Sequence, residues 1–115
     1  MAELRKIAIR STDFPVALDF LTTALGLPTK FASDGYAELV ASLGVALLSA
    51  DDYPAGAHGE IALMVKVDAV DAALELLTAA GARPLGDVEV GAHEFRAAVE
   101  LPGSAAVAIV YGAER

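Results

Sequence analysis

The chain repeats itself. The segment KIAIRSTDFPVALDFLTTALGLP, Lys6 to Pro28, returns as IALMVKVDAVDAALELLTAAGARP, Ile61 to Pro84. In both copies an alternating apolar run leads through an aspartate into a helix-spaced stripe that stops at a glycine, and a series of short strand-like runs follows. A duplicated supersecondary unit of this kind must pair or stack its two copies to bury their apolar faces.

In the first copy Ile7 and Ile9 alternate with Lys6, Ala8 and Arg10, the period-2 pattern of a strand with one face on the core. Thr12 or Asp13 is the expected N-cap, Pro15 suits the first helical turn, and Val16, Leu18, Phe20, Leu21 and Leu25 keep helical spacing up to Gly26. In the second copy Ile61, Leu63, Val65 and Val67 alternate with Glu60, Ala62, Met64 and Lys66. Asp68 is expected to cap the second helix, and Val70, Ala73, Leu74, Leu77 and Ala80 form its stripe before Gly81. Further strands are expected at Thr29–Ala32, Tyr36–Ser42, Val45–Ala50, Leu85–Val90, Phe95–Leu101 and Ala105–Tyr111, and the joint Asp51–Gly59, DDYPAGAHG, cannot be helix.

At 115 residues, with 56% hydrophobic content, the chain reads as one domain able to bury its own core. It lacks cysteine, which excludes disulfide and thiolate chemistry and is compatible with a reducing, cytoplasmic setting. The N-terminus has no long apolar run of the kind that makes a signal peptide or a membrane span. A net charge of −8 disfavours nucleic acid and anionic membranes as partners, since both require basic patches. A neutral or cationic small molecule is easier to accommodate. Asn and Gln are absent, so carboxylates, hydroxyls and backbone must fix any polar ligand.

A βαβββ unit said twice resembles the vicinal oxygen chelate superfamily, which includes glyoxalase I, extradiol dioxygenases, fosfomycin resistance proteins and bleomycin-binding proteins. STDFPVALDFLTTALGL resembles its first strand-helix unit, VDAVDAALELLTAAGARP its second, and LPGSAAVAIVYG a degenerate form of its final strand. The resemblance implies an α+β fold of two tandem βαβββ modules, about 4–50 and 59–112, forming a curled mixed sheet with helices on its convex face. The alternation then expects Ile7, Ile9, Leu39, Val45, Leu47, Leu63, Val65, Val99, Val107 and Ile109 under the helices. Lys6, Ala8, Arg10, Tyr36, Glu38, Val40, Ala46, Leu48, Glu60, Ala62, Met64, Lys66, Arg96, Ala98, Glu100, Ala106, Ala108 and Val110 are expected on the cavity side. A one-residue slip in any strand would invert its set.

The family's metal enzymes place His or Glu ligands on the first and last strands of each module, and matching the helix starts puts those positions at Lys6, Ala46, Ala62 and Ala108. Ammonium and alanine offer no lone pair to a divalent ion. No metal and no other cofactor is therefore expected. His58 with Glu60 forms an isolated H-x-E pair and His93 follows Gly91, settings in which solvated loop histidines are the usual case. Ser11, Ser33, Ser42, Ser49 and Ser104 have no nucleophile-elbow context.

The expected ligand site is a groove floored by Ala46, Ala62 and Ala108 and walled by Lys6, Arg10, Tyr36, Glu38, Leu48, Glu60, Met64, Arg96 and Glu100, with Phe31, Tyr36 and Tyr53 as stacking rings. Its charges also fit a plainer role, pairing with one another in water. The reading this favours is a metal-independent protein that binds, as a homodimer, a bulky cationic or aromatic compound such as an antibiotic. Two alternatives stand beside it. One is a glyoxalase-like lyase or isomerase using displaced ligands (His58, Glu60, Glu100) or Glu38 and Glu100 as acid and base. The other is a dimer whose groove is vestigial, filled by Met64 and Leu48.

Overall fold

In the computed structural model, which describes residues 2–24, 26–40, 44–103 and 105–115, the alternating run around Ile7 and Ile9 forms β1 (Glu3–Ser11). Of the two expected caps, Asp13 starts α1 (Phe14–Asp19): its Oδ1 accepts the Val16 N–H at 3.3 Å, and Pro15 sits in the first turn. The helix loosens into a π turn over Phe20–Ala24, where the Thr22 hydroxyl bonds back to the Leu18 carbonyl at 2.8 Å. It ends where Gly26 adopts φ +68°. The buried stripe is Phe14, Ala17, Leu18 and Leu21 rather than the expected set, because Val16 and Phe20, one turn apart, share the outward face. Leu25 lies outside the described residues.

Next come β2 (Thr29–Ala32), β3 (Tyr36–Leu39) and β4 (Gly44–Ser49). The end expected for the middle strand, Ser42, is outside the described residues, as is Ser104. The joint corrects one expectation: Ala50–Asp52 forms a 3₁₀ turn, capped by the Ser49 hydroxyl, which accepts the Asp52 N–H at 3.3 Å. Such a turn needs only three residues, and these precede Pro54.

The second copy supplies β5 (Ile61–Lys66) and α2 (Val70–Ala79). Asp68 is not the N-cap of α2; Ala69 is, and it has no side chain to cap with. The end of the chain does the work instead: the Glu114 carbonyl accepts the Val70 N–H at 3.1 Å, and the Arg115 carbonyl accepts the Asp71 N–H. Beyond Gly81, only Glu89–Val90 of the expected strand Leu85–Val90 is strand (β7); a short β6 (Arg83–Pro84) precedes it, and Gly86 turns at φ +127° between the two. β8 (Phe95–Glu100) and β9 (Val107–Gly112) complete the fold.

The strands form one curled mixed sheet in the order β2-β3-β4-β1-β5-β9-β8-β6, with β7 also on β8. The two copies meet at its centre, where β1 and β5 run antiparallel with Ile7 opposite Leu63 and Ala8 opposite Ala62. β4 lies parallel to β1 and β9 parallel to β5, so each module closes by a helix-bearing crossover. The helices cover one face. α1 packs on Ile9, Ala37 and Leu47, while Val70, Ala73, Leu74 and Leu77 of α2 pack over Val65, Ala97, Val110, Leu63, Val99 and Ala108. Ala80 is exposed at the end of α2. Each fully buried side chain such as Leu47 or Val70 contributes about 1.5–3 kcal/mol of burial.

β9 inverts its expected faces. Val107 and Ile109 look into the concavity, Ala108 and Val110 look under α2, and Ala106 precedes the strand. The run AAVAIVYG is apolar on both faces, so alternation carries no signal there. The parallel register with β5, Ala62 opposite Val107 and Met64 opposite Ile109, settles it. Among the described residues no helix is long and apolar enough to cross a membrane.

Candidate ligand pocket

On the concave face, pleating brings every second side chain of seven neighbouring strands to one side, and at the Lys6 end of β1 these side chains surround a pocket of about 660 Å³. Lys6, Tyr36, Glu38, Leu48, Met64 and Arg96, all expected there, do line it. Cross-strand pairing places them: Tyr36 stands opposite Leu48, and Lys6 lies between Gly44 on β4 and Met64 on β5. A Cβ on Gly44 would come to 3.0 Å from that of Lys6, so the glycine admits the Lys6 stem.

The charges in the pocket are organised around Lys6. Its ammonium donates to Glu38 Oε1 at 2.5 Å and to Tyr36 Oη at 3.0 Å, and the Tyr36 hydroxyl donates to the same Oε1 at 2.7 Å. Lys30 Nζ lies 3.7 Å from Glu38 Oε2. The Lys6 ammonium also sits 5.7 and 5.6 Å from the ring centres of Tyr36 and Tyr111. Burial alone would raise the Glu38 pKa, but the hydrogen bonds from Lys6 and Tyr36 outweigh it and hold the carboxyl below its usual range. Burial, with the bond to Glu38, pushes the Tyr36 phenol up, and burial does the same to Tyr111. Glu38 is thus an anion fixed by two ammonium groups and one phenol, poorly suited to serve as a base.

Three expected residues stand apart. Arg10 stacks its guanidinium 5.7 Å from the centre of the Tyr53 ring, outside the pocket lining. Glu60 is exposed ahead of β5, where its carbonyl accepts the Arg10 N–H at 2.7 Å. Glu100, at the far end of β8, meets His58 Nε2 at 2.9 Å and Arg83 Nη2 at 3.1 Å, and these two partners, His58 first, hold its carboxyl below the usual range. Glu38 and Glu100 are therefore not brought together as an acid–base pair.

The expected alanine floor is also corrected. Ala108 faces α2, and Ala46 and Ala62 are buried beneath the joint, whose Tyr53 and Ala57 pack with them in one cluster. Tyr53 is only 4% exposed. The small side chains at these positions make room for the chain's own tyrosine, not for a ligand. The joint is clamped there: Ala55 N–H donates to Glu89 Oε2 at 2.9 Å, Glu89 Oε1 lies 3.4 Å from Arg96 Nε, and Gly56 abuts the Leu85 backbone. Leu48 and Met64 meet in that cluster, yet the pocket beside them stays open.

Several lining residues escaped the sequence reading. Ile109 and Tyr111 were hidden by the β9 inversion, and Asp52, Pro54 and the turn Val90–Glu94 arrive from connections whose path no pattern dictates. His93 is in that turn. Phe31 was expected, and its ring lies 6.1 Å from that of Tyr36, tilted by 49°.

The residues do not fit a divalent ion at the positions the fold implies. Lys6, Ala46 and Ala62 carry no lone-pair donor, and with β9 inverted the residue opposite Met64, as Ala46 is opposite Ala8, is Ile109. His58 and Glu100 do approach each other, but the Arg83 guanidinium shares the carboxylate and repels a cation. No group of three or more His, Cys, Asp or Glu among the described residues is placed to hold a metal.

The family model described as the Glyoxalase/Bleomycin resistance protein/Dioxygenase superfamily matches residues 3–102. Among solved structures, a hypothetical protein from Bacillus halodurans is 16% identical over 99% of this chain and 96% of its own, with a TM-score of 0.71. A superfamily member from Vibrio splendidus is 16% identical over 96% of this chain and 99% of its own, at 0.67. Methylmalonyl-CoA epimerase from Mycobacterium tuberculosis is 16% identical over 97% of this chain and 88% of its own, at 0.66. At such identities the likeness is one of fold. No curated protein matches the chain.

Proposed function

Because this chain belongs to the glyoxalase/bleomycin resistance protein/dioxygenase superfamily, we propose that it uses the concave face of that fold to bind a small molecule without a metal ion, sequestering a bulky aromatic or partly cationic compound such as an antibiotic. One observation carries the reading. A pocket of about 660 Å³, walled by tyrosines and apolar side chains, lies open beside implied metal positions that hold lysine, alanine and isoleucine. The aromatic part is the better supported, since Lys6 already occupies Glu38; a cationic substituent would have to reach Asp52 or Glu94.

The alternative, a glyoxalase-like isomerase, has less support: His58, Glu60 and Glu100 line no part of the pocket, and Glu38 is held as an anion. The proposal includes a single domain, supported by the continuous sheet, and a homodimer, supported by the exposed apolar side chains Leu4, Ile61 and Leu76; it places the protein in the cytoplasm, with which the lack of cysteine is compatible.

A thermal-shift series with aromatic antibiotics, with and without EDTA, tests the reading. A ligand at a hundredfold excess over its Kd is expected to raise Tm by on the order of 10 °C, unchanged by the chelator. Stabilisation only by nickel, zinc or manganese, lost in His58→Ala, would favour the isomerase.

A further inference from the structure

Resting on the pocket reading above, we propose that the pocket selects neutral, planar molecules bearing a carbonyl oxygen, and that Lys6 is the residue that selects them. An ammonium has three N–H donors. Two of those on Lys6 go to Glu38 Oε1 and Tyr36 Oη, and among the described residues no third oxygen accepts from it. The side chain is 14% exposed, lines the pocket, and is held by two hydrogen bonds and two ring faces, so it loses little freedom on meeting a ligand. Arg96 also lines the pocket, from β8, but its Nε is buried and faces Glu89 Oε1 at 3.4 Å, which leaves Lys6 as the donor the proposal rests on.

Charge decides what the spare donor accepts. Glu38 neutralises Lys6, so an arriving carboxylate gains no net attraction and meets Asp52 and Glu94 around the pocket as well. An arriving ammonium meets Lys6 itself, with Glu38 Oε1 already taken and Oε2 facing Lys30. A neutral carbonyl oxygen suffers neither repulsion and receives a charge-assisted hydrogen bond. The body of such a molecule finds flat and apolar partners: Tyr36 with Phe31, Tyr111, and Met64. Phe31 and Val90, 57% and 74% exposed, extend that apolar contact to the surface.

A matched set of tricyclic probes tests this by calorimetric titration: 9-fluorenone (neutral carbonyl), fluorene (no acceptor), fluorene-9-carboxylate (anion) and 9-aminofluorene (cation). Fluorenone is expected to bind about tenfold or more tighter than fluorene. Its infrared C=O stretch should move to lower wavenumber on binding, a change that shape fit alone would not cause. The double variant Lys6→Met, Glu38→Gln keeps the site neutral and is expected to erase the fluorenone advantage while sparing fluorene. Should that variant fail to fold, the wild-type comparison decides by itself. Equal binding of fluorenone and fluorene, an unshifted C=O stretch, or tighter binding by either charged probe would overturn the inference and leave the pocket reading standing. If none of the four binds the folded protein, the pocket reading falls too.

Discussion

Tyr53 fills space with its ring and leaves its hydroxyl stranded: the side chain is buried over the alanines, yet Oη has no hydrogen-bond partner among the described residues. Tyr53→Phe is therefore expected to be neutral or stabilising by up to about 1 kcal/mol, whereas Tyr53→Ala should cost about 3–5 kcal/mol through the cavity it leaves, both read from urea unfolding. Glu38 works the other way, through its charge. Its carboxyl sits below the usual 4.5 in the folded protein, so in acid the unfolded chain binds more protons than the folded one. The stability it adds is complete above the usual value and is lost as pH falls through the folded value. The unfolding free energies of wild type and Glu38→Gln should differ by about 1–3 kcal/mol at pH 7, and the gap should shrink as pH falls below the usual carboxylate range and through the lowered folded value; a gap constant with pH would show that the ionised carboxylate contributes nothing. The residue types of this network were legible in the sequence, since Lys6, Tyr36 and Glu38 all alternate toward the cavity. Their closed triangle of hydrogen bonds was not, because β1 and β3 meet only through β4.

At the scale of elements, strands with polar residues on one face declared their register, as β1 and β3 did with Lys6 and Glu38. β9 did not, because Val107 to Tyr111 are apolar or aromatic on both faces and only pairing with β5 fixes which way they turn. The joint behaves likewise. DDYPAGAHG reads as a connection, and nothing in it says that it folds back over Ala46 and Ala62. That return depends on Gly56, where an added Cβ would collide with the Leu85 carbonyl. Gly56→Ala is expected to cost about 1–3 kcal/mol and to speed hydrogen exchange at the Ala57 amide, which bonds the Pro54 carbonyl at 3.0 Å. Unchanged exchange there would mean that the joint is not held by this contact.

For the whole molecule, the antiparallel β1–β5 seam joins the two copies within one chain, so a dimer would not be needed to complete the sheet. It would instead cover apolar side chains such as Ile61, 63% exposed. Sedimentation velocity at micromolar concentration is expected to give about twice the 11.8 kDa chain mass, and a monomer there would remove the homodimer from the proposal. The internal repeat by itself determined two strand-helix units with helix ends at Gly26 and Gly81, and side-chain type determined the lack of a lone-pair donor at Lys6, Ala46 and Ala62; the fold class and the metal positions followed from the resemblance those units carry, and one position moved from Ala108 to Ile109 only with the pairing of β9 and β5. Which end of the concavity stays open was decided only by tertiary structure. That depends on a loop crossing over alanines and on a strand whose two faces look alike, and both are governed by contacts between residues far apart in the chain, which periodicity does not encode.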